Sequence, residues 1–117
     1  MKTLKFKKHL SNLILKGEKT TTWRLFDNKD LTLSDKLSFL IKETGEEFVK
    51  AKIVSVKEVK FSELSVDDWE GHEKFSTEKE MYDAYSEYYK KSVDENTKLK
   101  IIKFEIINKK YGKVFEK

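Results

Sequence analysis

Residues 17–24 read Gly-Glu-Lys-Thr-Thr-Thr-Trp-Arg, and this run gathers the side chains best suited to chemistry. Lys19 and Arg24 supply two cations, one a compact ammonium and one a planar guanidinium. Both suit a phosphate or a developing oxyanion. Thr20, Thr21 and Thr22 add hydroxyls, useful for hydrogen bonds to a base edge or, beside a base, as a nucleophile. Gly17 permits a left-handed turn or a close backbone approach. Of the 25 basic residues, Arg24 alone is arginine. A site that keeps a guanidinium in a lysine-rich chain is one where the planar fork matters. In an extended strand Thr20, Thr22 and Arg24 share one face, and Lys19, Thr21 and Trp23 the other. Thr22 and Arg24 therefore form the natural cleft pair, and Trp23 packs in the core or against a helix. Lys19 joins the cleft because it stands at the strand's entry, where pleating is not established. Trp69 and the tyrosines add aromatic faces, and base stacking on such faces is worth about 1–3 kcal/mol per base.

Other chemistries lack their residues. The chain has no cysteine, which excludes disulfides, thiolate nucleophiles and cysteine-held metal sites. His72-Glu73 opens like a zinc-protease motif, but Ser76 stands where the second histidine belongs. No dinucleotide fingerprint, phosphate-binding P-loop or hydrolase elbow is present. No cofactor or metal is expected. Residues 109–117 (KKYGKVFEK) resemble an RNA-recognition segment only in composition, since the aromatic spacing is missing.

The elements that must position these residues follow from pattern. Residues 2–7 alternate as a strand, and Leu10, Leu13 and Ile14 give helical spacing over 8–16, closed by Gly17. Strands follow over 18–26, 36–42 and 47–60, the last with a phase slip at 53–54 that signals a β-bulge. Residues 61–75 read as short turns. Ser76 is the expected N-cap of a helix over 77–91, with Glu78 and Glu80 in its first turn. Met81, Tyr85, Tyr88 and Tyr89 share a side of it, and the tyrosines at 82, 85, 88 and 89 are read as helix-packing residues. A final strand over 98–107 carries a second apparent slip at Ile101–Ile102. This order, β-α-β-β-β-α-β, predicts an α+β domain over 1–117: a small, mostly antiparallel β-barrel with two main flanking helices.

Charge is unevenly spread. Residues 1–19 carry six lysines and one glutamate, and residues 98–117 seven lysines and two glutamates, so each end is +5. With a total of +4, the middle is −6. If the ends lie side by side they form a basic surface suited to a polyanion such as RNA. At 39% charged and 38% apolar residues, the chain can still bury a core. No apolar run approaches the ~18 residues of a membrane span. The basic start, broken by lysine and polar residues, is not read as a secretory leader. A cytoplasmic location and no membrane partner are expected.

A helix, then Gly17, Lys19 and Arg24 at the entry of a Thr-rich strand, resembles the ASCH family, whose barrel is PUA-like. The family motif G-x-K-x-x-x-x-R is matched by Gly17, Lys19 and Arg24, with Thr20 and Thr22 common between them. Residues 69–75 (WEGHEKF), followed by a helix with a tyrosine-bearing end, resemble a second family stretch. The likeness runs from about Leu4 to Ile107. One departure is Ser34-Asp35, where the family usually has Gly-Asp. The resemblance implies a cleft that binds RNA, a nucleotide or a nucleoside, lined by Gly17, Thr20, Arg24, Glu70 and His72. It also implies an alternative activity, hydrolysis of the amide of a modified nucleoside such as N4-acetylcytidine, or, more remotely, of RNA. There Lys19 would act as base or nucleophile activator and Thr22 as polar anchor or nucleophile. Glu73, with Glu70 in reserve, would shuttle the proton, and Arg24 would stabilise charge.

Overall fold

The computed structural model describes residues 1–109. Its elements follow the expected order: β1 (Lys2–Phe6), α1 (Lys8–Leu15), β2 (Thr21–Leu25), β3 (Lys36–Ile41), β4 (Glu47–Lys60), α2 (Glu78–Tyr89) and β5 (Lys98–Lys109). Two short 3-10 turns, Phe61–Glu63 and Val66–Trp69, link β4 to α2. The five strands form one curled sheet, a half-barrel ordered β1-β3-β4-β5-β2. Among the described residues only the β1–β3 pair is parallel. The two edge strands approach each other without a backbone ladder. The Arg24 guanidinium of β2 instead donates to the Lys5 carbonyl of β1 at 3.4 Å, and the Lys29 ammonium bonds the Thr3 carbonyl. These donors satisfy edge carbonyls that would otherwise template another strand.

Both faces of the sheet are covered, and this decides which way each residue of β2 points. One face carries the larger core, in which Leu4 and Phe6 of β1 and Ile14 and Leu15 of α1 pack with Phe39, Ile53, Ile102 and Phe104. The other carries Trp23, Leu25, Leu99 and Ile101 beneath Met81 and, at its margin, Tyr82, Tyr85 and Tyr89 of α2. The alternation of β5 is therefore unbroken from Leu99 to Phe104, and its own irregularity lies further on, where the register with β4 skips Ile107. Ile101 and Ile102 face opposite cores and pair in register with Lys57 and Val56. The slip expected at Ile101–Ile102 is two neighbouring residues buried on two sides, not a bulge. The slip in β4 is a bulge: the register with β5 shifts between Ile53 and Ser55. Ile53 and Val56 thus reach the same core although their spacing is odd.

Helix α2 begins one residue later than the pattern predicted. Thr77, not Ser76, is its N-cap, and its hydroxyl accepts from the Glu80 N–H at 3.1 Å. Ser34, at the position where the resemblance implied glycine, takes a left-handed φ of +71°. The adjacent Asp35 binds the Lys2 ammonium at 2.7 Å and the Thr32 N–H at 2.9 Å. The two basic chain ends share the larger core, and on the surface the Lys109 ammonium bonds the Leu15 carbonyl at the end of α1. The expected composition match at 109–117 lies, apart from Lys109, outside the described residues. No helix among the described residues is long and apolar enough to cross a membrane.

Candidate functional site

The site begins at the end of α1. Gly17 has φ +78° with nothing near the position of a Cβ, so its role is backbone freedom and not close approach. Its N–H bonds the Ile14 carbonyl at 3.1 Å, and the Glu18 N–H bonds the Leu13 carbonyl at 2.9 Å. This pair of bonds is a Schellman motif, which ends the helix and reverses the chain. The reversal carries Lys19 inward, where it is 2% exposed.

A second turn meets this strand entry. The His72 N–H bonds the Trp69 carbonyl at 3.1 Å. Glu70 at φ −62°, ψ 126° and Gly71 at φ +74° make the turn type II, with glycine where positive φ is required. The Gly71 carbonyl accepts from the N–H groups of Thr20 and Thr21 at 2.9 and 3.1 Å, and the Thr21 hydroxyl donates to the Glu70 carbonyl at 2.8 Å. A Cβ on Gly71 would lie 2.0 Å from the Thr20 hydroxyl oxygen. The turn is thus pressed against β2, and it delivers Glu73 to Lys19.

The Lys19 ammonium forms an ion pair with Glu73 Oε1 and donates to the Thr21 carbonyl at 2.8 Å. Burial pushes the lysine pKa down. Glu73 opposes that shift, and Arg24 adds to it weakly. Burial alone would raise the Glu73 carboxyl, but Lys19 and, less strongly, His72 hold it below its ordinary value. His72 stacks on Trp23, ring centroids 4.0 Å apart and planes 17° from parallel. Its Nδ1 lies 2.6 Å from the Glu73 carbonyl oxygen and so carries the proton, leaving Nε2 to accept from the Tyr85 hydroxyl at 3.2 Å. Burial, reinforced by the Lys19 charge, lowers the histidine pKa to about 4, so the ring is neutral at pH 7. Arg24 lies over the Phe6 ring, its guanidinium carbon 4.9 Å from the centroid, and its Nε is buried without a hydrogen bond.

These groups line a cleft of about 700 Å³ between α1 and α2. Lys19, Thr22, Arg24, His72 and Glu73 all border it. Of the expected residues, Gly17, Thr20 and Glu70 lie outside its lining. Thr20 abuts Gly71, and Glu70 meets β2 through its carbonyl. Thr22 and Arg24 share the face of β2 that the strand alternation assigned them, opposite Trp23. Trp23 packs under α2 and also borders the cleft. Tyr85, Tyr88 and Tyr89 border it too, so they serve both helix packing and the cleft wall. Its rim is cationic: Lys5, Lys7, Lys42, Lys74 and Lys90 surround the opening, with Glu80 and Glu87 as the acidic members. Among the described residues, no three His, Asp or Glu side chains converge as metal ligands.

A family model for the ASCH domain matches residues 2–108. The chain belongs to the ASCH domain family. Solved structures share its fold at low identity. Protein EF3133 from Enterococcus faecalis V583 has 12% identity and a TM-score of 0.74, covering 93% of this chain and 77% of its own. An ASCH domain from Lactobacillus crispatus JV V101 has 16% identity and a TM-score of 0.65, covering 92% and 80%. The ASCH protein from Zymomonas mobilis has 15% identity and a TM-score of 0.61, covering 88% and 65%. No curated protein matches this chain. The shared fold is the PUA-like half-barrel described above. The sequence reading gave Gly71 no role and Tyr85 only that of a helix-packing residue. The signal for Gly71 was available, because it is one of four glycines in a chain without proline.

Proposed function

We propose that this ASCH domain binds a nucleoside or nucleotide unit, free or within RNA, in the cleft between α1 and α2. One observation carries the reading: a buried ammonium, Lys19, paired with the partly exposed carboxylate of Glu73, lies within a cleft whose rim is lysine-rich. A nucleobase edge carries donors and acceptors side by side. Glu73 accepts from such an edge, and Lys19, Thr22 and Arg24 donate to it. Tyr88 and Phe75 supply aromatic wall, and the rim lysines meet the phosphate. Equilibrium dialysis of the four nucleoside 5′-monophosphates, with Arg24→Ala and Lys19→Ala variants, tests this. Binding should weaken as salt rises, and each variant should lose about tenfold or more, the scale of one charge-assisted hydrogen bond. Unchanged affinity in Arg24→Ala, with the variant folded, would overturn the cleft assignment.

A second reading, amide hydrolysis on an acylated nucleoside, is favoured by the depressed pKa of Lys19 beside a carboxylate. Neutral Lys19 takes the proton of the nucleophile, either the Thr22 hydroxyl or water, as it attacks the amide carbonyl. Arg24 stabilises the oxyanion, and Glu73 relays the proton from the Lys19 ammonium to the departing amine nitrogen; where Thr22 is the nucleophile, water then hydrolyses its acyl ester to free the acid and the hydroxyl. Incubation with N4-acetylcytidine, read by mass spectrometry, tests it. Release of cytidine that Lys19→Ala abolishes supports this reading; turnover at the wild-type rate in Lys19→Ala would refute it.

A further inference from the structure

From the cleft wall an aromatic row runs outward to Phe26, which lies beyond the cleft lining. Phe26 follows β2 directly and takes a left-handed φ of +50°, unusual for a bulky side chain. It leaves its ring on the surface, and the residue is 44% exposed. The ring meets Tyr89 edge-on at 5.6 Å, and Tyr89 meets Tyr88 at 4.9 Å. Tyr88 is itself 43% exposed and borders the cleft, so the row is continuous with the site. Two ammonium groups rest on these rings: Lys91 is 4.4 Å from the Phe26 centroid and Lys42 is 4.8 Å from that of Tyr88. The row is anchored at its centre, since the Tyr89 hydroxyl accepts from the Leu25 N–H at 3.1 Å.

We propose that Phe26, Tyr88 and the ammonium groups of Lys42 and Lys91 form a second subsite, which stacks the nucleotide adjoining the one in the cleft, so that the ligand is a single strand of RNA and not a free nucleoside. The inference rests on the nucleotide-binding reading of the cleft and names its ligand class. Three features support it. A base stacks on any exposed aromatic face whatever its sequence. Each such face here carries a lysine ammonium on a four-carbon stem, long enough to turn to the phosphate linking the two nucleotides, which releases the ring for the base. The Phe26 backbone holds a conformation that glycine or asparagine would take more readily, and such outliers gather where a site demands them. A free nucleoside has no second base to use the ledge.

Equilibrium dialysis read by mass spectrometry separates these ligands. Three probes are compared: the four nucleoside 5′-monophosphates, mixed-sequence RNA trinucleotides, and the same trinucleotides made abasic at their first and third positions. The abasic probe keeps the phosphates and removes the flanking bases. Intact trinucleotides should bind at least about fivefold more tightly than abasic ones, the lower end for one stacked base. Phe26→Ala should erase that gain and leave monophosphate affinity unchanged. Lys91→Gln should lower the salt slope of trinucleotide binding by about one. Equal binding of intact and abasic trinucleotides, or a gain that survives Phe26→Ala, would overturn the subsite while monophosphate binding still upheld the cleft. Failure of all three probes to bind would overturn both.

Discussion

Glu73→Gln tests the placement of charge in the site most directly, because it preserves shape and removes one charge. Lys19 is 2% exposed, and its ammonium is held by the Glu73 carboxylate and the Thr21 carbonyl. Glutamine leaves that ammonium buried among neutral acceptors. Removing one partner of a buried pair costs about 3–5 kcal/mol. A ceiling exists at pH 7, because the lysine can escape by losing its proton. From an ordinary pKa of ~10.4 that release costs about 4.6 kcal/mol. The expected loss is therefore between about 3 and 4.6 kcal/mol, with water at the cleft mouth favouring the lower end. This is a large share of the stability of a small domain, about 5–15 kcal/mol.

The pH dependence gives the same variant a second signature. With the carboxylate gone, burial holds the folded Lys19 pKa below its unfolded value without opposition. Between those two values the unfolded chain binds more protons, so stability rises with pH by up to about 1.4 kcal/mol per unit. Urea unfolding of Glu73→Gln at intervals from pH 7 to 10 measures both effects. Lys19→Met/Glu73→Gln removes both charges and should be more stable at pH 7 than Glu73→Gln alone. A Glu73→Gln variant within about 1 kcal/mol of wild type, with no rise toward alkaline pH, would refute the reasoning, since exposed pairs behave that way.

Further outcomes follow from the same contacts. His72 has a folded pKa of about 4 against 6.5 in the unfolded chain. The unfolded state therefore protonates first as pH falls, and stability declines from pH 6.5 toward 4, by roughly 3 kcal/mol in all. In NMR titrations the His72 ring resonances should stay still above pH 5.5. Gly71→Ala places a Cβ 2.0 Å from the Thr20 hydroxyl at φ +74°, and thermal unfolding should show a loss above about 1 kcal/mol. Adding Thr20→Ala should return the steric part of that loss and leave the backbone part. Thr77→Ala removes the N-cap of α2 and should cost about 1 kcal/mol in urea unfolding, whereas Ser76→Ala should cost little. If amide hydrolysis occurs, kcat/KM should rise with pH to a plateau set by Lys19, below the ordinary lysine value, because the neutral amine is the base.

How far the fold could be read depends on which signals are local. Strands and helices of this chain have clear periods, and the β4 bulge announced itself because Ile53 and Val56 break alternation on one strand. The apparent break at Ile101–Ile102 misled for the same reason. Two adjacent buried residues mean a bulge when one face is wet, and mean two cores when α1 and α2 cover opposite faces. Only the tertiary arrangement separates these cases. The α2 cap was ambiguous because Ser76 and Thr77 are both good N-caps. The choice falls to Thr77 because its backbone is extended at φ −143° and its hydroxyl reaches the Glu80 N–H.

The site was legible in its residue types and less so in its geometry. Strand alternation placed Thr22 and Arg24 together, and it allowed Lys19 inward as a residue of the entry. What alternation cannot supply is a partner 54 positions away in the chain. That partner arrives mainly through contacts that leave no mark in residue type: the Gly71 carbonyl on two strand N–H groups, joined by the Thr21 hydroxyl on the Glu70 carbonyl. Thr20 and Glu70 entered the expected site through their chemistry, yet both serve this docking contact. The turn must lie flush against β2 for Glu73 to meet Lys19, and flush packing leaves no room for a Cβ at position 71. The Lys19–Glu73 ion pair and the bare glycine are therefore one requirement seen from two sides. A chain that kept Lys19 and Glu73 but lost Gly71 would hold the right groups apart.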